Sequence, residues 1–227
     1  MNSRNAPVQR RSRERLERIL EAASELLAEG GVDGLTMRSV ADRTGIPVAS
    51  IYRYFDNRDA IIAAYLDHEL DQIEDAVRDA LLSLEKVTFR TSAEAITLAH
   101  MRHHQAHPEG IPVWFGGRLN AAVVEQVRAL DARMADSLRA AVRGTGMTSA
   151  VPDFIAGLAV RLTDRMFEFV FVAERSPEEQ EQIVLTFVDI MASYIERFVT
   201  PGGRDGISPE EFVRALRAEL SAETGED

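Results

Sequence analysis

Apolar residues recur along this chain at the three- and four-residue spacing of amphipathic helices. Leu16, Ile19, Leu20, Ala23, Leu26 and Leu27 form the first such run, which stops at Gly30-Gly31 and predicts a helix from about Arg10. From Asp59 to about Val87 a longer run places Ile61, Tyr65, Leu66, Leu70, Ile73, Val77, Leu81 and Leu84 on one side. Thr91-Ser92-Ala93-Glu94 reads as a capping box opening a helix to about Gln105, His107-Pro108-Glu109-Gly110 breaks it, and a further helix spans about Asn120 to Arg143. Val151 to Glu174 becomes apolar nearly all round toward its end. Ser176-Pro177-Glu178-Glu179 then caps a helix carrying Ile183, Phe187, Ile190, Met191, Tyr194 and Phe198. A second Ser-Pro-Glu-Glu, Ser208 to Glu211, opens a short terminal helix before an acidic tail. The pattern predicts an all-α fold.

Between the first two runs lies Thr36 to Arg58, which reads as two short helices and a turn. Thr36 is a good N-cap because its hydroxyl can accept from the free amides of a first turn. Gly45 takes a left-handed C-terminal position without steric cost, and Pro47 suits the start of a new helix over Val48 to Phe55. Ile51 and Phe55, four apart, face inward, and Asp56 is placed to cap the next helix. Helices so joined form a helix-turn-helix, whose second member can lie in a DNA major groove.

The pattern Thr36, Val40-Ala41, Gly45-Ile46, Ile51-Tyr52-x-Tyr54-Phe55, Asn57-Arg58 resembles the TetR family of bacterial transcriptional regulators, at motif strength over roughly Arg10 to Leu66. The resemblance implies an N-terminal three-helix DNA-binding domain followed by a larger C-terminal helical domain for ligand binding and dimerisation. The expected divisions are a flexible arm at 1–9, the DNA-binding domain at 10–66, the effector-binding and dimerisation domain at 67–203, and a C-terminal extension at 204–227. The family position of Arg38 contacts bases in some members. At Pro47 the chain departs from the family, where a capping serine or threonine is frequent, so the entry to the recognition helix is expected to differ slightly.

Side-chain chemistry assigns the remaining roles. Arg53 is long, forked and outward-facing, suited to guanine O6 and N7, while Val48 and Ala49 suit thymine methyls. Ser50, Tyr52 and Tyr54 carry hydroxyls for phosphate oxygens; Thr36 and the Asn57-Arg58 helix start offer further phosphate contacts. Arg10, Arg11 and Arg13 are placed to reach phosphates or a minor groove. The alternatives are a solvated charge run and ordinary core packing of the tyrosines.

The formal charge of −11 argues against a nucleic-acid partner until its distribution is read. Residues 1–58 carry ten arginines against eight acids, whereas the remainder carries sixteen bases against twenty-nine acids. The acidic bulk would orient the basic end toward DNA. With no cysteine, thiolate metal sites and thiol catalysis are excluded. No membrane span or secretory signal is legible, so a soluble cytoplasmic protein is expected.

Two nearly all-apolar helices need a partner, and a second copy would supply one through Phe171, Ile183, Phe187, Ile190, Met191, Tyr194 and Phe198. Such a homodimer would read a palindrome with half-sites about 34–36 Å apart or a multiple. Trp114, Phe115, Arg118, Met134, Phe154, Met166 and Phe169 are candidates for an effector cavity, and the family resemblance raises that expectation. His100, His103, His104 and His107 have a spacing that could present two imidazoles to a metal, with no third ligand identified. Asp164 and Glu168, interleaved with Arg161 and Arg165, read as a solvated ion-pair face. No cofactor, bound metal or enzyme motif is expected. The leading function is a homodimeric repressor that releases DNA on binding a small-molecule effector. Its alternatives are an activator, an effector-free regulator, or a metal-dependent helical enzyme built on the His100–His107 helix.

Overall fold

The computed structural model describes residues 5–115, 121–149, 151–152 and 154–224; side chains are described for 12–115, 124–125, 127–136, 138–140, 145–149, 151–152 and 154–218. The helices are α1 (Asn5–Gly34), α2 (Met37–Thr44), α3 (Val48–Ile51), α4 (Arg58–Leu82), α5 (Phe89–Ala106), α6 (Ile111–Phe115), α7 (Ala121–Gly144), α8 (Phe154–Val172), α9 (Pro177–Ile195), α10 (Pro201–Asp205) and α11 (Pro209–Thr224). Short 3₁₀ turns occupy Pro108–Gly110 and Glu196–Phe198. Among the described residues, extended pairing is confined to the antiparallel bridges Val87–Ile207 and Thr148–Val199.

The chain divides into two compact units. The first holds the chain through Glu69 together with His107–Val127; the second holds Leu70–Ala106 and the chain from Arg128 onward. In the first, Ile19, Leu35, Val40, Ile51, Ile61 and Leu66 are withdrawn from solvent, each contributing about 1.5–3 kcal/mol of apolar transfer. Helix α1 starts inside the expected arm: Pro7 falls in its opening turn, where a missing N–H costs nothing. Residues 1–4 of that arm lie outside the described residues.

Residues 107–127 join the first unit although the sequence assigned them to the effector domain. Ser24 donates to Glu109 at 2.8 Å, and Gly110 lies so close to Tyr65 and Glu69 that a Cβ there would meet their oxygens at 3.2 and 3.3 Å. These contacts are far apart in sequence, so no local pattern announces them.

In the second unit α5 and α8 both pack against α9. Helix α5 begins earlier than the expected Thr91 cap, because Thr88 and Thr91 cap it reciprocally. The Thr88 N–H donates to Thr91 Oγ1 at 2.9 Å, and the Thr91 N–H donates to Thr88 Oγ1 at 3.1 Å. Leu81, Val87, Met147 and Phe212 form a buried cluster, with Ile207 and Leu216 against it. The start of α11 therefore belongs to this unit rather than to a separate extension, since Phe212 would otherwise leave an aromatic ring in water.

Candidate nucleic-acid interface and ligand cavity

Helix α2 starts at a reciprocal box. The Ser39 N–H donates to Thr36 Oγ1 at 3.0 Å, and the Thr36 N–H donates to Ser39 Oγ at 2.8 Å. The helix ends at Gly45, whose φ of 67° and ψ of 12° are left-handed and whose N–H donates to the Ala41 carbonyl at 2.9 Å. Thr44, buried, donates its hydroxyl to the Val40 carbonyl at 2.7 Å and accepts from the Ile46 N–H at 3.2 Å. Two arginines fasten this pair of turns to α1. Arg18 donates to the Thr44 carbonyl, and Arg43 spans Glu25 at 2.8 Å and Glu29 at 2.5 Å.

Pro47 opens the recognition element without a side-chain cap, and its carbonyl accepts from Ser50 at 2.7 Å and Ile51 at 3.2 Å. Regular helix covers only Val48–Ile51, half the expected length. The N–H groups of Tyr54 and Phe55 then both donate to the Ile51 carbonyl, at 2.8 and 3.0 Å, so the chain tightens into a turn before Phe55 is buried. Ile51 is 0% exposed, whereas Tyr52 is 52% exposed; Val48, Ala49 and Arg53 are exposed beside it. The element is thus pinned from one side and open on the other.

The other assigned residues divide into exposed and engaged groups. Arg13 and Arg38 are exposed; Arg38 lies 3.9 Å from Asp42, an exposed ion pair that contributes little. Arg10 and Arg11 fall on α1 with side chains outside the described residues. Ser50 is half-buried. Tyr54 is also half-buried, and its hydroxyl accepts from Ser12 at 3.4 Å, tying the recognition turn to α1 instead of standing open as assigned. Asn57, not Asp56, caps α4: its Oδ1 accepts from the Ala60 N–H at 2.9 Å. Arg58 lies 3.5 Å from Asp59.

Within the second unit is a cavity of about 420 Å³, walled by α4, α5, α7, α8, α9 and α11 and lined mainly by aliphatic and aromatic groups such as Ile73, Val77, Ile96, Leu138, Phe187 and Met191. That is the size and character of a small-molecule site. Of the six sequence candidates among the described residues only Met134 lines it. Trp114 and Phe115 belong to α6 in the first unit, Met166 is buried elsewhere, and Phe154 and Phe169 are 67% and 59% exposed. Arg118 lies outside the described residues.

The proposed interface residues divide similarly. Phe187 and Met191 turn into the cavity, and Phe171 packs on His104 at 5.6 Å and Phe167 at 6.0 Å between ring centroids. Ile183 is half-buried; Phe198 lies against Tyr194 at 6.0 Å. Ile190 and Tyr194 are exposed, joined by Leu185 on α9 and by Phe154, Leu158, Leu162, Phe169 and Val172 on α8. Because α8 and α9 are apolar on more than one stripe, periodicity alone could not say which stripe faces inward.

The histidines are parts of packing. His100 Nδ1 lies 2.8 Å from the Ile96 carbonyl and its ring stacks on Phe167 at 6.3 Å. His103 and His104 are buried, with His104 edge-on to Phe167 and Phe171. His107 belongs to the first unit, 3.5 Å from Glu109. Among the described residues no group of three His, Asp or Glu side chains is arranged to hold a metal, and no helix is long and apolar enough to cross a membrane. Asp164 departs from the expected solvated face: half-buried on α8, it hydrogen-bonds Asp131 of α7. Burial first, and then the Asp131 charge, push its carboxyl up to about 7.

Comparisons with known proteins agree with this geometry. Residues 19–65 match the family model of bacterial regulatory proteins, tetR family. Over 62 residues the chain is 37% identical to the HTH-type transcriptional repressor KstR of Mycobacterium tuberculosis, a match covering 27% of this chain and 28% of that protein. The chain thus spans under a third of the length of the curated relatives it first matches. A solved TetR-family regulator from Syntrophomonas wolfei superposes with a TM-score of 0.67 at 17% identity, covering 80% of this chain and 96% of that one. Another from Streptomyces coelicolor gives 0.59 at 24% identity, covering 82% and 99%. At these identities the structural likeness establishes the fold.

Proposed function

Because the chain belongs to the TetR family of bacterial transcriptional regulators, we propose that it is a cytoplasmic, homodimeric repressor that binds a palindromic DNA operator and releases it when a small molecule occupies the cavity of the second unit. The observation that carries the DNA-binding part is the polarity of the recognition element. Ile51 and Phe55 anchor it, leaving Val48, Ala49, Tyr52 and Arg53 open to a partner. A short rod fixed from behind is what direct readout of base edges requires, because the contacts must arrive already positioned.

The dimer reading is supported by the exposed apolar groups on α8 and α9, which exceed what scattered surface residues account for. A two-fold axis through such a surface would carry two recognition elements to one duplex. The effector reading is supported by the mainly apolar lining of the cavity, and release requires a ligand that favours the DNA-incompetent conformation by about 1–3 kcal/mol.

Selection of bound sequences from random DNA, followed by Arg53→Ala, tests the proposal. The selection should return an inverted repeat, and the substitution should cost about 1–3 kcal/mol and relax one base position in each half-site. An unchanged sequence preference in the variant would refute the assignment of Arg53 and the recognition element with it.

A further inference from the structure

Four polar side chains of the cavity wall, Ser92, Thr97, Thr163 and His100, share one property: a proton that each could offer is already given to a backbone carbonyl. The Ser92 hydroxyl donates to the Phe89 carbonyl at 2.8 Å, Thr97 to Ala93 at 2.8 Å, and Thr163 to Ala159 at 2.9 Å. His100 lies on the same wall, with Nδ1 2.8 Å from the Ile96 carbonyl. A carbonyl oxygen can only accept, so Nδ1 carries the hydrogen. Burial lowers the affinity of this imidazole for a second proton, so the ring is neutral and Nε2 is a bare acceptor. These four groups therefore present lone pairs to a space lined mainly by apolar side chains.

Charge in the lining stays with partners or with water. Arg78 pairs with Asp75 at 2.5 Å, Arg139 with Asp136, and Glu74 with Arg133 at 3.6 Å. Arg217 is exposed, where an ion pair is weak. A carboxylate moved against His100 would lose its hydration and meet acceptors, an unfavourable exchange.

We infer that this cavity takes a neutral, largely apolar molecule bearing a hydroxyl, whose proton is donated to Nε2 of His100, in preference to an acid of the same chain. The inference rests on the reading of the cavity as the effector site and specifies what that effector is. The ring stack on Phe167 holds the imidazole plane in place, so the acceptor is fixed before the ligand arrives.

Calorimetry on the full-length chain with 1-decanol, methyl decyl ether and decanoate tests it at neutral pH without DNA. Decanol should bind about tenfold or more tightly than the ether, which cannot donate, and than decanoate, which cannot donate and must be desolvated. His100→Phe keeps an aromatic ring against Phe167 and should erase the advantage of decanol over the ether; His100→Gln, with an amide oxygen as acceptor, should recover part of it. If His100→Phe does not fold, as judged by circular dichroism, His100→Gln and the wild-type ranking decide alone. Decanoate binding as tightly as decanol overturns the inference, and more decisively so if Arg217→Ala abolishes it, since the head group would then sit at the rim. Binding of none of the three, or an unchanged preference in His100→Phe, also overturns it. Operator release is measured separately: decanol that binds without releasing DNA refutes the effector reading and leaves the ligand class standing.

Discussion

Gly45 offers a clean separation of backbone conformation from packing. A Cβ built there meets no heavy atom within 4 Å, so Gly45→Ala adds no clash. What it adds is the cost of holding an L-residue at φ 67°, about 1–2 kcal/mol. Gly30 supplies the control. It too has open space around its missing side chain, but its backbone is ordinary helix, so Gly30→Ala should stabilise by about 0.5–1 kcal/mol through lost freedom in the unfolded chain. The two alanines therefore differ by about 1.5–3 kcal/mol in opposite directions from wild type, or about 3–12 °C in midpoint for a chain of this size. Urea unfolding followed by far-ultraviolet circular dichroism reads the difference directly, and Gly45→Asn should recover part of the loss because asparagine tolerates the left-handed region. Equal shifts for the two alanines, or a stabilised Gly45→Ala, would refute the argument that the turn before the recognition element demands glycine for its backbone alone.

Gly203→Ala should be the severest of the small substitutions, since its Cβ would stand 2.1 Å from the Met147 carbonyl oxygen; loss of soluble folded protein, or destabilisation above about 3 kcal/mol, is the expected result in the same urea assay. Asp164 holds its proton to about 7 in the folded chain but releases it near 3.8 when unfolded, so its contribution to stability falls as pH rises through that interval and stays low above it. Asp164→Asn should raise the melting temperature at pH 8 by a few degrees and leave it nearly unchanged at pH 4; a larger gain at pH 4 would reverse the sign. Phe169→Glu combined with Ile190→Glu places charge on two exposed apolar positions and should shift the chain to monomer in sedimentation at micromolar concentration, with folding intact. Arg13→Ala should weaken binding to all DNA sequences alike and lower the salt slope by about one, whereas a change in base preference would move it from backbone contact to readout.

What the sequence disclosed followed from rules that act over a few residues. Thr36, Gly45 and the Ser176 box are caps whose partners lie within one turn, and all three stand as their chemistry dictates. Where two neighbours could do the same task the choice went astray: Asn57 caps α4 in place of Asp56, and Thr88 opens α5 in place of Thr91. The site residues were harder. Trp114 and Phe115 are aromatic and near a break, but the break returns the chain to α1, as contacts distant in sequence such as Ser24–Glu109 reveal. On α8 and α9 the apolar character runs round the helices, so Phe187 and Met191 could be assigned outward, and Phe154 and Phe169 inward, without offending the pattern.

Arg43 reaches two carboxylates on successive turns of α1 with a single planar head. A lysine, with one compact charge, would serve one of them at a time. The arginine-rich end of this chain is consequently not an undivided reserve of cations for phosphate: Arg43 and Arg18 act as rivets holding the reading head to its mount. Any attempt to raise DNA affinity by crowding more positive charge around α2 would set newcomers in competition for Glu25 and Glu29, and could loosen the mount while strengthening the grip.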